Sequence, residues 1–163
     1  MQEVKYLGLI VTTKGIQMDP DKVSAVKEWD TLNPITDVQK LRRFLGFAQF
    51  YRRFIKGYSA IIAPLTRLTG SVPWNFDAKC AAAVKQLQDA FTSAPILQHF
   101  DARKRIYIET NTSDFIITRV LSQIGEDSVL HPIAFYSKKY LPAKCNYNIY
   151  NKELIAIIHA FKE

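Results

Sequence analysis

The stretch Thr36-Asp37-Val38-Gln39-Lys40-Leu41-Arg42-Arg43-Phe44-Leu45-Gly46-Phe47-Ala48-Gln49-Phe50-Tyr51-Arg52-Arg53-Phe54-Ile55 decides how the chain folds. Thr36 and Gln39 have the spacing of a capping box, in which each side chain satisfies a free backbone N–H at a helix start. The pattern predicts one long helix reaching about Ile55. At about 100° per residue, Val38, Leu41, Phe44, Leu45, Ala48, Tyr51 and Ile55 share one broad apolar arc, the expected core face. The opposite arc holds Gln39, Arg43, Gly46, Phe47, Phe50, Arg53 and Phe54. Two readings fit that second arc. Guanidinium groups meet phosphates, rings pack on sugars or bases, and glycine admits a close backbone, which together suit a nucleic acid. Alternatively the helix is buried on both sides and its arginines snorkel outward.

Charge singles out the same segment. The 163 residues carry 22 Lys+Arg against 15 Asp+Glu, a formal net charge of +7. Between Thr36 and Thr69 stand Lys40, Arg42, Arg43, Arg52, Arg53, Lys56 and Arg67 against Asp37 alone, so +6 of the +7 sits there. A basic excess this local points to a polyanionic partner gripped at one place.

Upstream, residues 4–18 hold two β-prone runs around Thr12-Thr13-Lys14-Gly15, the pattern of a β-hairpin. Asp19-Pro20 then supplies a cap and a first-turn proline, and Val23, Val26 and Trp29 continue a short helix to about Asp30. Downstream, Ile61 to Leu68 reads as another short helix and Gly70-Ser71-Val72-Pro73 as a turn. Asp77 caps a helix with Ala81, Val84, Leu87, Ala90 and Phe91 on one side, which ends at Ser93-Ala94-Pro95. After Phe100-Asp101 the character changes. Arg105–Thr110, Phe115–Ser122 and His131–Ser137 read as three antiparallel strands, and Tyr147–Glu163 as a helix.

The fold class expected is therefore α+β: a helical subdomain after a β-hairpin, then a small unit of three antiparallel strands plus a helix. Such a unit leaves a sheet edge for something else to cover. No apolar run approaches the roughly 20 residues of a membrane span, and the start lacks a signal peptide's apolar region, so an intracellular location and no membrane partner are expected. Cys80 and Cys145 form no Cys-x-x-Cys, and His99, His131 and His159 have no ligand spacing. No glycine-rich phosphate loop is present.

Taken together, Tyr6-Leu7-Gly8-Leu9-Ile10, Gly15-Ile16, Asp19-Pro20-Asp21-Lys22-Val23, Leu41-Arg42-Arg43-Phe44-Leu45-Gly46-Phe47, Tyr51-Arg52-Arg53-Phe54-Ile55 and Ala63-Pro64-Leu65-Thr66 resemble the part of a gypsy-type LTR-retrotransposon polyprotein that follows the polymerase active site. Phe91-Thr92-Ser93-Ala94-Pro95-Ile96-Leu97, Val120-Leu121-Ser122-Gln123, His131-Pro132-Ile133-Ala134 and Lys152-Glu153-Leu154-Ile155-Ala156-Ile157 resemble its tether and the beginning of its RNase H domain. The resemblance implies a primer-grip-like hairpin at 1–19, a helical thumb at 20–72, a tether at 73–100 and a truncated RNase H-like domain at 101–163. The 36–55 helix would lie along the minor groove of a template–primer duplex, with Gln39, Arg43, Phe47, Phe50 and Arg53 as nucleic-acid-binding residues. The implied partners are RNA/DNA hybrid or duplex and the remainder of the polyprotein.

The same resemblance implies that this chain alone lacks the chemistry. The family's Tyr-x-Asp-Asp polymerase motif is absent, and no two aspartates are adjacent anywhere. Where the family reads Glu-Thr-Asp-Ala-Ser-Asp this chain reads Glu109-Thr110-Asn111-Thr112-Ser113-Asp114, which puts a neutral amide at the first metal-binding aspartate. Glu153 matches the catalytic glutamate, and Thr118-Arg119 replaces the family's Gly-Ala. Mg²⁺ belongs to the intact parent enzyme, and no metal or other cofactor is expected on this chain. A contrasting reading is a catalytically dead relic or domesticated interaction module that binds a protein partner, or a second copy as a homodimer, through the uncovered sheet edge.

Overall fold

The computed structural model describes residues 3–113 and 115–139. At the N-terminus β1 (Glu3–Tyr6), β2 (Leu9–Thr12) and β3 (Gly15–Met18) form an antiparallel meander in chain order. The expected hairpin is its second half. The additional turn is Leu7-Gly8: Tyr6 pairs with Leu9, and the two residues between them take φ of 49° and 79°. That left-handed pair closes a two-residue hairpin. A Leu-Gly turn lacks the Asn or Asp that flags such loops, so in the sequence it passes for strand.

Asp19 caps α1 (Pro20–Lys27) by accepting from the Asp21 N–H at 3.1 Å, and α2 (Trp29–Leu32) follows. The cap of α3 (Val38–Phe50) is Asp37, not Thr36. The Asp37 carboxylate accepts from the Lys40 N–H at 2.9 Å, while the Thr36 hydroxyl donates to Asp37 at 3.1 Å. An anionic acceptor outcompetes a hydroxyl for the free N–H groups of a positive helix end. The helix also stops earlier than expected, at Phe50, and residues Arg52–Phe54 form a 3₁₀ turn. Tighter winding carries Phe54 out of the predicted surface arc and into the core, at 1% exposure.

In place of one helix over 61–68 there are two, α4 (Tyr58–Ile61) and α5 (Ala63–Arg67). Pro64 explains the break, because it has no N–H to continue the first helix and is suited to begin the second. Asp77 caps α6 (Ala78–Thr92), accepting from the Cys80 N–H at 2.9 Å. Leu41, Phe44 and Ala48 of α3, Leu65 of α5 and Leu87 of α6 are fully buried in one cluster that extends from Met18 to Leu97. Trp29 closes it against Phe44, ring centroids 5.3 Å apart. Leu97 also ties back to the meander: its N–H donates to Ile16 at 2.8 Å and its carbonyl accepts from Ile16 at 2.7 Å. Gly15 is required there, since a Cβ would strike the Leu97 carbonyl.

The second sheet is β4 (Tyr107–Thr112), β5 (Ile116–Ile124) and β6 (Leu130–Lys139), antiparallel in chain order with a bulge at Leu121/Ser122. Phe135 of β6 packs against the helical cluster. The architecture is the α+β arrangement expected, with helices and two three-stranded antiparallel sheets. The expected helix over 147–163, and Glu153 with it, lies outside the described residues, as does Asp114.

Candidate nucleic-acid interface

With Leu41, Phe44 and Ala48 turned inward, α3 presents Gln39, Arg43, Gly46 and Phe50 to solvent, and the following turn adds Arg53. Phe50 is 52% exposed. A helix buried on both sides is thereby excluded. Phe47 departs from the expected face: it is half-buried, its ring 5.5 Å from Trp29 and 5.6 Å from Tyr51, so it supports the face more than it belongs to it. Phe54 leaves the face altogether. Gly46 stands in open space, with nothing within 4 Å of where its Cβ would be.

The seven basic residues of this segment divide by what they touch. Arg42 donates to the Thr69 carbonyl at 2.9 Å, Lys40 to the Thr36 hydroxyl at 3.0 Å, and Arg67 pairs with Asp77 at 3.4 Å. These three stitch the helical unit together. Among the described residues Arg43, Arg52, Arg53 and Lys56 have no ion-pair partner. Asp37 and Asp77, the acids beside Lys40 and Arg67, are committed to helix ends. Asp37 is held below the usual carboxylate range chiefly by the Lys40 N–H, and Asp77 chiefly by the Cys80 N–H. The surface thus keeps uncompensated positive charge beside an exposed ring.

Tyr51, at the end of α3, links this face to the meander. Its hydroxyl donates to the Gly8 carbonyl at 3.2 Å, and the Phe50 ring packs on it edge-on at 4.9 Å. Burial raises its phenol pKa. Gly8 admits this contact because a Cβ would lie 2.5 Å from the Tyr51 oxygen. Tyr6 and Leu7 at the same tip are 63% and 70% exposed. Sequence reasoning put Tyr51 in the core but missed this tie, whose only signal is the Leu7-Gly8 turn.

On the second sheet Asn111 is exposed on β4 and pairs with Thr118 of β5, and Glu109 lies two residues before it on the same face. The structure brings Asn111 no carboxylate cluster: among the described residues no group of three His, Cys, Asp or Glu side chains could hold a metal. Asn111 itself offers a neutral amide, a weaker Mg²⁺ ligand than a carboxylate.

Comparison with known proteins accords with this architecture. Residues 76–163 match the model of an RNase H-like domain found in reverse transcriptase. The Tf2-3 and Tf2-4 transposon polyproteins of Schizosaccharomyces pombe (strain 972 / ATCC 24843) are each 32% identical over 161 residues, covering 98% of this chain and 12% of the relative. The chain therefore spans about an eighth of the length of these relatives. Among solved structures, a foamy viral protease–reverse transcriptase in complex with dsDNA superposes with a TM-score of 0.81 at 20% identity, over 99% of this chain and 33% of that one. The corresponding complex with an RNA/DNA hybrid gives 0.77 at 21% identity, over 98% and 21%. A helical unit followed by an antiparallel sheet, matched in sequence over more than half its length by one family, leaves a single assignment: the chain belongs to the RNase H-like domain family found in reverse transcriptases, in a region shared with retrotransposon polyproteins.

Proposed function

We propose that the chain is the duplex-gripping part of a gypsy-type retrotransposon reverse transcriptase. In this reading residues 1–19 form the primer-grip-like element, 20–72 the thumb, 73–100 the tether and 101–163 the RNase H-like domain. The observation that carries it is the exposed face of α3 and the turn after it, where Gln39, Arg43, Gly46, Phe50 and Arg53 lie opposite the fully buried Leu41, Phe44 and Ala48 and the arginines have no ion-pair partner among the described residues. Phosphates supply the missing anions, and a ring beside them packs on a sugar or base. The foamy viral enzymes of similar fold were solved with dsDNA and with RNA/DNA hybrid, which supports the same class of partner here. The contacts are to backbone and so independent of sequence.

The chain itself polymerises nothing in this reading, having no adjacent aspartates, and Asn111 disables the two-metal hydrolysis that Glu153 would otherwise join. Fluorescence anisotropy with a labelled RNA/DNA hybrid tests the grip. The wild-type chain should bind, and Arg43→Glu with Arg53→Glu should abolish binding while leaving the melting curve in place. Equal affinity of the double variant would remove the thumb-helix assignment. Restoring Asp at position 111 tests that role of Asn111: Mg²⁺-dependent cleavage of the hybrid by the variant is the expected result, and no cleavage would show that the site lacks more than this residue.

A second reading, self-association through a sheet edge, is favoured by β4, which has no neighbour on one side among the described residues. It requires a molar mass that doubles with concentration in light scattering. A constant monomer mass eliminates it.

A further inference from the structure

The motif Val120-Leu121-Ser122-Gln123 has no part in gripping a duplex, yet Gln123 is 1% exposed, the most buried polar side chain among the described residues. A primary amide taken this far from water has to be hydrogen-bonded. Its partners are all backbone. Oε1 accepts from the Asp101 N–H at 2.9 Å, and Nε2 donates to the Asp101 carbonyl at 2.8 Å and the Lys104 carbonyl at 3.1 Å. One N–H and two carbonyls fix which end of the amide is which. These partners belong to residues 98–106, the stretch without helix or strand that leads from the helical unit to β4. The same stretch is pinned by Lys104 Nζ donating to the Ile124 carbonyl at 3.2 Å and by the Gln98 N–H donating to the Pro132 carbonyl at 2.9 Å.

A second attachment lies further along β6. The Ser59 N–H of α4 donates to the Ser137 hydroxyl at 2.8 Å, and the Ser59 hydroxyl donates to the Ser137 carbonyl at 2.8 Å. Between the two attachments Phe135 packs on the helical core. Pro132 and Ser137 are five residues apart on β6, about 17 Å at the rise of an antiparallel strand. A sheet hinged at one point can swivel; one fastened at both ends of a strand cannot.

We infer that Gln123 and the Ser59–Ser137 pair are positioning residues that mount the RNase H-like sheet in one fixed orientation on the helical unit. The position of Asn111 then keeps a constant distance from α3, which would fix the register between a held duplex and the sheet. That consequence rests on the duplex reading above, but the mount does not, and it is testable in the free chain. Spin labels at Lys85→Cys of α6 and Glu109→Cys of β4, in a background of Cys80→Ala and Cys145→Ser, report the distance between the two units by pulsed electron resonance. Both labelled positions are exposed. The parent should give one narrow distance, and Ser59→Ala with Ser137→Ala, which together remove both hydrogen bonds of that pair, should keep it. Adding Gln123→Ala to that pair, or the isosteric Gln123→Glu, which has no N–H to offer the two carbonyls, should lose the single distance while the helical circular dichroism persists. A narrow distance retained in both triple variants overturns the proposal. So does its loss only where the helical signal is lost as well. Failure of the chain to bind hybrid while the distance behaves as stated counts against the duplex reading and leaves the mount standing.

Discussion

At Gly46 the middle of α3 gives up about 0.5–1 kcal/mol relative to alanine, although a Cβ there would touch nothing within 4 Å. Packing gives no reason for the glycine; under the proposed grip, its place on the exposed arginine face does. Gly46→Ala should raise stability by about 0.5–1 kcal/mol in urea unfolding and weaken hybrid binding, because the added methyl keeps the helix backbone away from a phosphate or sugar. A variant that gains stability and binds unchanged would mean that nothing approaches closely at this point. The two phenylalanines at the end of this segment separate packing from surface. Phe54, buried, should cost about 3–5 kcal/mol when changed to alanine, whereas Phe50→Ala should stay within about 0.5 kcal/mol in the same unfolding assay. The spacing put both on one arc, and only the tighter turn at Arg52–Phe54 tells them apart.

The helices show which signals the sequence carries openly. Leu41, Phe44, Ala48, Tyr51 and Ile55 are buried as their spacing requires, since a 3.6-residue period is written directly in the order of apolar residues. Helix ends are written less plainly, because adjacent Thr36 and Asp37 both make credible caps and the choice depends on which oxygen reaches the free N–H. The break between α4 and α5 could have been read from Pro64. The cap at Asp37 has a consequence in acid. Both Asp37 and Asp77 have lowered pKa values through backbone N–H donors, and Asp101 is drawn down to about 2 chiefly by Arg103. A carboxyl whose folded pKa is depressed adds stability above its unfolded value, about 3.9, and loses it as pH falls through the folded value. The melting temperature should therefore hold through neutral pH and decline below about pH 4. Asp37→Asn with Asp77→Asn keeps a capping oxygen and should flatten that decline while leaving the neutral melting temperature nearly unchanged. An identical acid decline in this variant would place the responsible carboxyls elsewhere.

Over the whole molecule, one hydrophobic cluster runs from Met18 to Leu97 and takes in α1, α3, α5 and α6, with Phe135 of the second sheet resting on it. The α+β class was legible, because the change from 3.6-residue to alternating patterning after Phe100-Asp101 is abrupt. The joint between the two units was not, since it is made by Gln123, Ser59 and Ser137, and polar residues carry no period that announces a distant partner. The net charge resolves in the same way. Of the basic residues that concentrate between Thr36 and Thr69, Lys40, Arg42 and Arg67 serve the fold, and Arg43, Arg52, Arg53 and Lys56 stand on the surface without ion-pair partners among the described residues. The central claim is that this surface holds a duplex by its phosphates. Its most direct test is the salt dependence of RNA/DNA hybrid binding, comparing the wild-type chain with Arg43→Gln, Arg53→Gln. Each phosphate contact contributes about 0.9 to the slope of log K against log salt, so the variant should bind more weakly and its slope should be shallower by about 2. Equal affinity and equal slope would contradict the account.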